Sequence, residues 1–339
     1  MKRLVVLCWV MVLVACSRPD TQAPAEMYLT GTTMGVIPYN VKFVNNNDVD
    51  TEQLHQLIDQ RLQTINQLMS TYVPNSELSL LNQSPADTPT LLSRDTAVVI
   101  EEALRLGTLT DGALNVTLGP LINLWGFGPG NRPKTTPSQA QIDAAMSITG
   151  LVHIDLQGQT IRKAVDELYI DLSPIAKGYA VDEVAHTLEQ QGIADYLVEI
   201  GGEMRLAGVK ANGQAWRVAI EKPISTQRAI QKIISIGNNA IATSGDYRNY
   251  FEEDGVRYSH LINPNTGYPI AHNLVSVTVV HPSSMTADGL ATGLSVMGTE
   301  AAIELAEREN LSVLLISKDG DNFTEYQSPA FKANITIVK

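Results

Sequence analysis

Apolar side chains recur at Leu54, Leu57, Ile58, Leu62, Ile65, Leu68 and Met69, a three-to-four spacing that lays one stripe along a helix. His55 falls beside that stripe and reads as a surface or boundary residue. Upstream, Val41 and Phe43 alternate with Lys42 as on a half-buried strand, so residues 28–44 read as extended chain interrupted by GTTMG at 31–35. Asn45, Asn46, Asn47 and Asp48 make the turn into the helix. Residues 70–82 read as a loop, 95–109 as a second helix and 131–137 as a proline- and threonine-bearing loop, after which Ser138 opens a short helix. Paired strands turning near Gly158 are expected over 152–170. The next helix takes Ser173 as its cap, Pro174 at its first position and Gly192 at its end. Strands follow at 196–200, 216–220, 232–236, 258–262, 275–280 and 311–316, with a helix over 299–308 before the last. Helices and strands mix without regular βαβ alternation, which predicts an α+β fold rather than a doubly wound sheet, one catalytic unit of two lobes over residues 27–339.

One stretch of the pattern also carries chemistry. A helix through SMTADGLATG (284–293), capped by Thr286, buries Leu290, Leu294 and Met297 and sets Asp288 and Thr292 one turn apart on a single face. A carboxylate and a hydroxyl so placed suit a hard, oxygen-seeking cation such as Mg²⁺. The same residues also fit a plain helix, with the acid favoured by the dipole at its N-terminus and the threonine packed.

Composition narrows the partners. The chain has 339 residues, 44% hydrophobic and 18% charged, enough to build a real core. Its net charge of −12 argues against nucleic acid as a partner. An acidic protein that handles a phosphate-rich ligand needs a metal or backbone amides to offset like charge. The first residues form a targeting segment: Lys2 and Arg3 precede an apolar run over 4–15, short of the roughly 20 residues that span a bilayer. That run ends in Leu13, Val14, Ala15 and Cys16, which resembles the lipobox of bacterial lipoproteins. The resemblance implies cleavage before Cys16, lipidation of that cysteine and anchoring by acyl chains, with residues 16–26 as linker. Ser17 after the cysteine, by analogy with such lipoproteins, favours the outer membrane of a Gram-negative cell, facing the periplasm, over inner-membrane retention. Cys8 lies inside the signal, so the mature chain keeps one cysteine, and neither an internal disulfide nor a catalytic or zinc-binding thiol set is available.

Several glycine-bearing or polar clusters stand at the ends of regular elements, a layout suited to one large ligand held by loops on a rigid scaffold. No G-x-G-x-x-G opens a helix, no P-loop or H-E-x-x-H is present, and neither Ser173 nor Ser244 sits in a G-x-S-x-G elbow. Taken in order, GTTMG, STYVPNSELSLLN, DGALNVTLGPLINLWGFG, IDLSPIAKGYAVD, EIGGE, SHLINPNTGYPI and TADGLAT resemble the ApbE family of FAD:protein FMN transferases over essentially the whole mature chain.

The resemblance implies FAD held in a cleft between lobes and Mg²⁺-assisted cleavage of its pyrophosphate. FMN then passes to a threonine of a membrane redox subunit, such as those of the sodium-pumping quinone reductase or its Rnf relatives, and AMP leaves. It implies Asp288, Thr292 and the backbone carbonyl of Pro174 as metal ligands. It implies Met34, Tyr72, Ala113, Leu114, Asn115, Asp171, Lys177, His260 and Ile262 as flavin-nucleotide contacts, although Val36 stands where the family more often has threonine. His260, beside the pyrophosphate in the family, is either a general base for the acceptor hydroxyl or a residue that holds its turn. Glu203 is a supporting group behind that shell. Hydrolysis of FAD to FMN and AMP, or flavin binding without turnover, are the alternative activities.

Overall fold

The computed structural model describes residues 25–130, 135–224, 229–245, 250–253, 256–320 and 322–338. The signal segment, Cys16 and positions 131–134 of the proline-bearing loop lie outside the described residues.

The chain opens as a hairpin of β1 (Ala25–Thr33) and β2 (Ile37–Asn45), turned through Met34 and Gly35, both at positive φ. α1 (Thr51–Met69) follows, its first amides accepted by the Asp50 carboxylate. The segment expected as a loop ends in a helix, α2 (Glu77–Gln83), whose cap Ser76 accepts from the amide of Ser79; the polar residues that looked like loop are the helix start. Then come β3 (Thr90–Leu91), α3 (Arg94–Leu109), α4 (Gly119–Leu124), α5 (Gln139–Ser147) and the hairpin of β4 (Ile154–Gln157) and β5 (Thr160–Lys163). α6 (Ser173–Gln190) starts on Ser173 itself, with Leu172 as cap and Pro174 in the first turn.

A run of strands follows: β6 (Tyr196–Ile200), β7 (Glu203–Ala207), β8 (Val218–Glu221), β9 (Ile230–Ser235), β10 (Ala240–Ser244), β11 (Tyr250–Glu253), β12 (Val256–Ser259) and β13 (Leu274–His281). α7 (Ser284–Met297) and α8 (Thr299–Arg308) precede β14 (Ser312–Asp319), β15 (Asn322–Gln327), α9 (Pro329–Asn334) and β16 (Thr336–Ile337).

An eight-stranded antiparallel sheet in the order β1-β2-β6-β7-β10-β13-β14-β15 carries the fold. Strand periodicity decides its two faces. Tyr39, Val41 and Phe43 of β2 and Tyr196, Val198 and Ile200 of β6 turn inward to the helices and are fully buried. That core also holds Leu54, Ile58, Leu62, Ile65 and Met69 of α1 and Ala287, Leu290, Ala291 and Leu294 of α7. On the other face, Leu206, Ile241 and Leu314 pack with Trp216, Val218 and Ile234 beneath a small sheet of order β16-β9-β8. A separate cluster of Leu121, Trp125, Ile142 and Ile262, with Phe127, Phe251 and Tyr258, forms a smaller lobe from α4, α5 and the β11–β12 hairpin. The architecture is α+β, with helices and sheets mixed in two lobes and no barrel. Among the described residues no helix is long and apolar enough to cross a membrane.

Candidate active site

A cleft of about 360 Å³ opens between the two lobes. From the larger lobe it receives Asp288 and Thr292 of α7, Asp171, Ser173, Pro174 and Lys177 at the start of α6, and Glu203 of β7. Tyr72 and the 113–115 turn border it, and Leu118, Ile122, Phe127, His260 and Ile262 close it from the smaller lobe.

The position of α7 is fixed at its N-terminus. Ser283 is the cap, accepting from the amide of Thr286, while Thr286, expected in that role, donates its hydroxyl to Glu102 at 2.7 Å. The other free amides of the first turn end on α6: Asp182 accepts from Ser284 N and Met285 N at 3.0 Å each and from the Ser283 hydroxyl at 2.8 Å. Arg205 donates to the same carboxylate at 3.0 Å. Small residues then let the helices close up. A Cβ on Gly178 would lie 2.3 Å from the Ser284 carbonyl oxygen, and one on Gly289 would lie 2.6 Å from the Leu106 side chain. As a result the amide of Gly178, which in a regular helix closes on the carbonyl of Pro174, donates to Asp288 Oδ2 at 2.9 Å.

The start of α6 is held just as closely. Asn82 clamps Ile170 with two hydrogen bonds, at 2.8 and 2.9 Å, and Asp171 accepts from the amide of Ser173 at 2.9 Å. Across the cleft, the indole of Trp125 donates to the Gly267 carbonyl at 2.8 Å and fixes the turn that follows His260. The His260 ring stands edge-on to Phe127 at 6.3 Å.

The electrostatics of the cleft call for a cation. Lys177 pairs with Glu203 at 2.7 Å, yet the second oxygen of Glu203 is buried without a hydrogen-bond partner. Burial pushes the Asp288 carboxyl up despite the nearby lysine, and burial likewise raises Asp171. Burial works against the charge on Lys177, but Glu203 and Asp288 outweigh it and hold the ammonium in place. Glu203 and Asp288 thus both act on one ammonium, and Asp171 borders the same cleft. The donors are oxygens, a carboxylate and a hydroxyl one turn apart, which fit a hard divalent ion such as Mg²⁺. Among the described residues no group of three or more His, Cys, Asp or Glu side chains converges, so the ion would also draw on backbone carbonyl and ligand oxygens.

The family model for ApbE matches residues 31–315. The chain belongs to the ApbE family. It is 51% identical over 330 residues to a Vibrio cholerae protein named FAD:protein FMN transferase, covering 97% of each chain. It is 45% identical to a Salmonella typhimurium protein of the same name, covering 97% of this chain and 96% of that one. Among solved structures it is similar to the flavin transferase ApbE from Vibrio cholerae, with a TM-score of 0.86 at 50% identity, covering 92% of this chain and 99% of that one. The apo flavinyl transferase ApbE of Pseudomonas stutzeri matches with a TM-score of 0.85 at 39% identity, over 92% and 97% of the two chains.

Of the residues that the family resemblance singles out, Tyr72, Ala113, Leu114, Asn115, Asp171, Pro174, Lys177, His260, Ile262, Asp288 and Thr292 line one cleft. Met34 does not: it sits at φ 46° in the β1–β2 turn, and its side chain packs against the main core. Two features escaped the sequence reading. Thr243, Ser244 and Gly245 also border the cleft, and their signal was a run of small residues at the end of a strand. Asp182 is the other, a buried acid packed with Tyr179, Val181, Val184 and Ala185 while its neighbour Glu183 turns outward to Arg61.

Proposed function

We propose that this protein is a Mg²⁺-dependent FAD:protein FMN transferase, lipid-anchored through Cys16 and facing the periplasm, which attaches FMN to a threonine of a membrane redox subunit. The observation that carries the reading is the convergence of motif residues from six separate segments on one cleft between the lobes. The names of the relatives support the same chemistry. The sequence through Cys16 supports the anchor.

The reaction needs positioning and charge neutralisation more than covalent help from the protein. Asp288, Thr292 and the Pro174 carbonyl would hold the metal, which when bound would supply positive charge to the pyrophosphate oxygens. Lys177, kept charged by its carboxylate neighbours, faces the same oxygens. Tyr72, the 113–115 turn, Asp171 and Ile262 hold the rest of FAD. The acceptor threonine Oγ attacks the phosphorus on the FMN side. Its proton passes to the His260 imidazole, the bond from that phosphorus to the bridging oxygen breaks, and AMP departs with the electron pair.

Incubation of the protein with FAD, Mg²⁺ and the acceptor domain of a sodium-pumping quinone reductase subunit tests this directly. Flavin fluorescence on the denatured acceptor, matched by AMP and lost on chelation, is the expected result. AMP without labelled acceptor would replace the reading with an FAD pyrophosphatase, and bound FAD without AMP would replace it with a flavin-binding lipoprotein. In the same assay His260→Ala is expected to slow transfer by about 10²-fold or more while FAD affinity changes little, as loss of a general base does. A fall in FAD affinity that accounts for the whole effect would make His260 a binding residue only.

A further inference from the structure

The transfer reaction has a second substrate, a protein, whose hydroxyl must reach the cleft between the lobes. Beside it lies a larger groove of about 900 Å³. Lys177 and Thr243 border both spaces, so the groove and the cleft adjoin at those two residues.

The build of the groove says what shape it takes. Its floor is the outer face of the main sheet, with Asn40 and Lys42 of β2, Leu197 of β6 and Met204 of β7. Its wall is β8. Every residue from Arg217 to Glu221 lines the groove, although Val218 and Ile220 are buried and Ala219 is exposed. Side chains of a strand alternate between two faces, so a wall made of consecutive residues is a strand edge rather than a strand face. Among the described residues β8 pairs with β9 alone, and it stands at the end of its small sheet. Among the described residues the outer edge of Val218, Ala219 and Ile220 is joined to no other strand, a state that proteins ordinarily guard against. At the mouth, Val36 is 87% exposed and Tyr28 55% exposed, apolar surface where another protein would cover it.

We infer that this groove receives an extended segment of the acceptor protein, added as a strand along the outer edge of β8 at Val218, Ala219 and Ile220, and leads its hydroxyl past Thr243 to Lys177. The inference rests on the transferase reading above. Main-chain pairing gives affinity with little demand on sequence, and the side chains that face the floor give register. A register set along β8 also fixes which residue of the segment reaches the cleft, so one hydroxyl among several is modified.

The test uses two positions that lie in the groove and outside the cleft. Ala219→Trp fills the wall, and Val36→Glu places a charge at the mouth. With wild-type protein labelling the quinone reductase acceptor domain, each variant is expected to raise the acceptor KM by about tenfold or more, the effect of losing one good contact. FAD affinity and the protein's melting temperature are expected to stay at wild-type values. A photo-crosslinker at position 219 is expected to capture the acceptor within a few residues of its modified threonine. Unchanged acceptor KM, or crosslinks far from that threonine, would overturn the groove while leaving the transferase reading intact. A variant that loses FAD affinity would instead assign the groove to the nucleotide. A wild-type protein that labels no acceptor would remove both readings together.

Discussion

Asp288→Asn is expected to abolish transfer while leaving the fold undisturbed. Asparagine keeps the size of the side chain and an oxygen able to accept from the Gly178 amide, so the α6–α7 contact survives. What it removes is the negative charge one turn from Thr292. Loss of a metal's charge stabilisation costs several kcal/mol in the transition state, which corresponds to a rate lower by about 10²- to 10³-fold or more. A second readout separates this from general damage. Any ion that binds only the folded protein raises its melting temperature by mass action. Wild-type protein should therefore melt higher with Mg²⁺ than with chelator, and the variant should melt alike in both. In chelator the variant should be at least as stable as wild type, because burial already disfavours the charged form of Asp288, with Glu203 adding to the effect. Transfer within tenfold of wild type, or a preserved Mg²⁺-dependent rise in melting temperature, would remove Asp288 from the metal site.

The pairing of Asp288 with Thr292 was readable because both lie on one helix, where a four-residue spacing fixes geometry without knowledge of the rest of the chain. The regular spans were readable for the same reason: 299–308 and 196–200 follow from periodicity alone and appear with those bounds. What could not be read depends on contacts distant in sequence. β7 and β10 are central strands of the main sheet, but Glu203–Ala207 shows no clean apolar alternation and Ala240–Ser244 little beyond small residues. Thr286 has the chemistry of a cap, yet Ser283 lies three residues earlier and captures the same amide, leaving Thr286 to bond Glu102 across to α3. Met34 entered with the GTTMG motif, and only the fold shows that the motif's turn sets it, partly buried, against the main core.

Asp182 is the residue whose weight only the fold reveals, and its replacement should be the most damaging single change to stability. It is 6% exposed and carries four hydrogen bonds: two α7 amides, the Ser283 hydroxyl and the Arg205 guanidinium. Asp182→Ala would leave Arg205 with Glu189 as its carboxylate partner and the Ser284 and Met285 amides without acceptors. Leaving a buried donor without its acceptor costs about 1–3 kcal/mol per group, so two orphaned amides cost about 2–6 kcal/mol together. Against a typical total of about 5–15 kcal/mol, that is a large share. Asp182→Asn should be milder but still harmful, since one of its two accepting oxygens becomes an NH₂ facing an amide N–H. Denaturant unfolding of the three proteins should rank wild type above asparagine above alanine. A loss under about 1 kcal/mol in the alanine variant, within the range of an ordinary surface change, would show that α7 is positioned by its packing alone. Otherwise the consequence for function follows from the path of the chain. Asp182 lies on the same helix as Pro174, Lys177 and Gly178, and it bonds the first turn of the helix that carries Asp288 and Thr292. One carboxylate at the back thus sets the distance between two helices whose front ends form the cleft. Transfer should therefore fall in the asparagine variant even at temperatures where it remains fully folded.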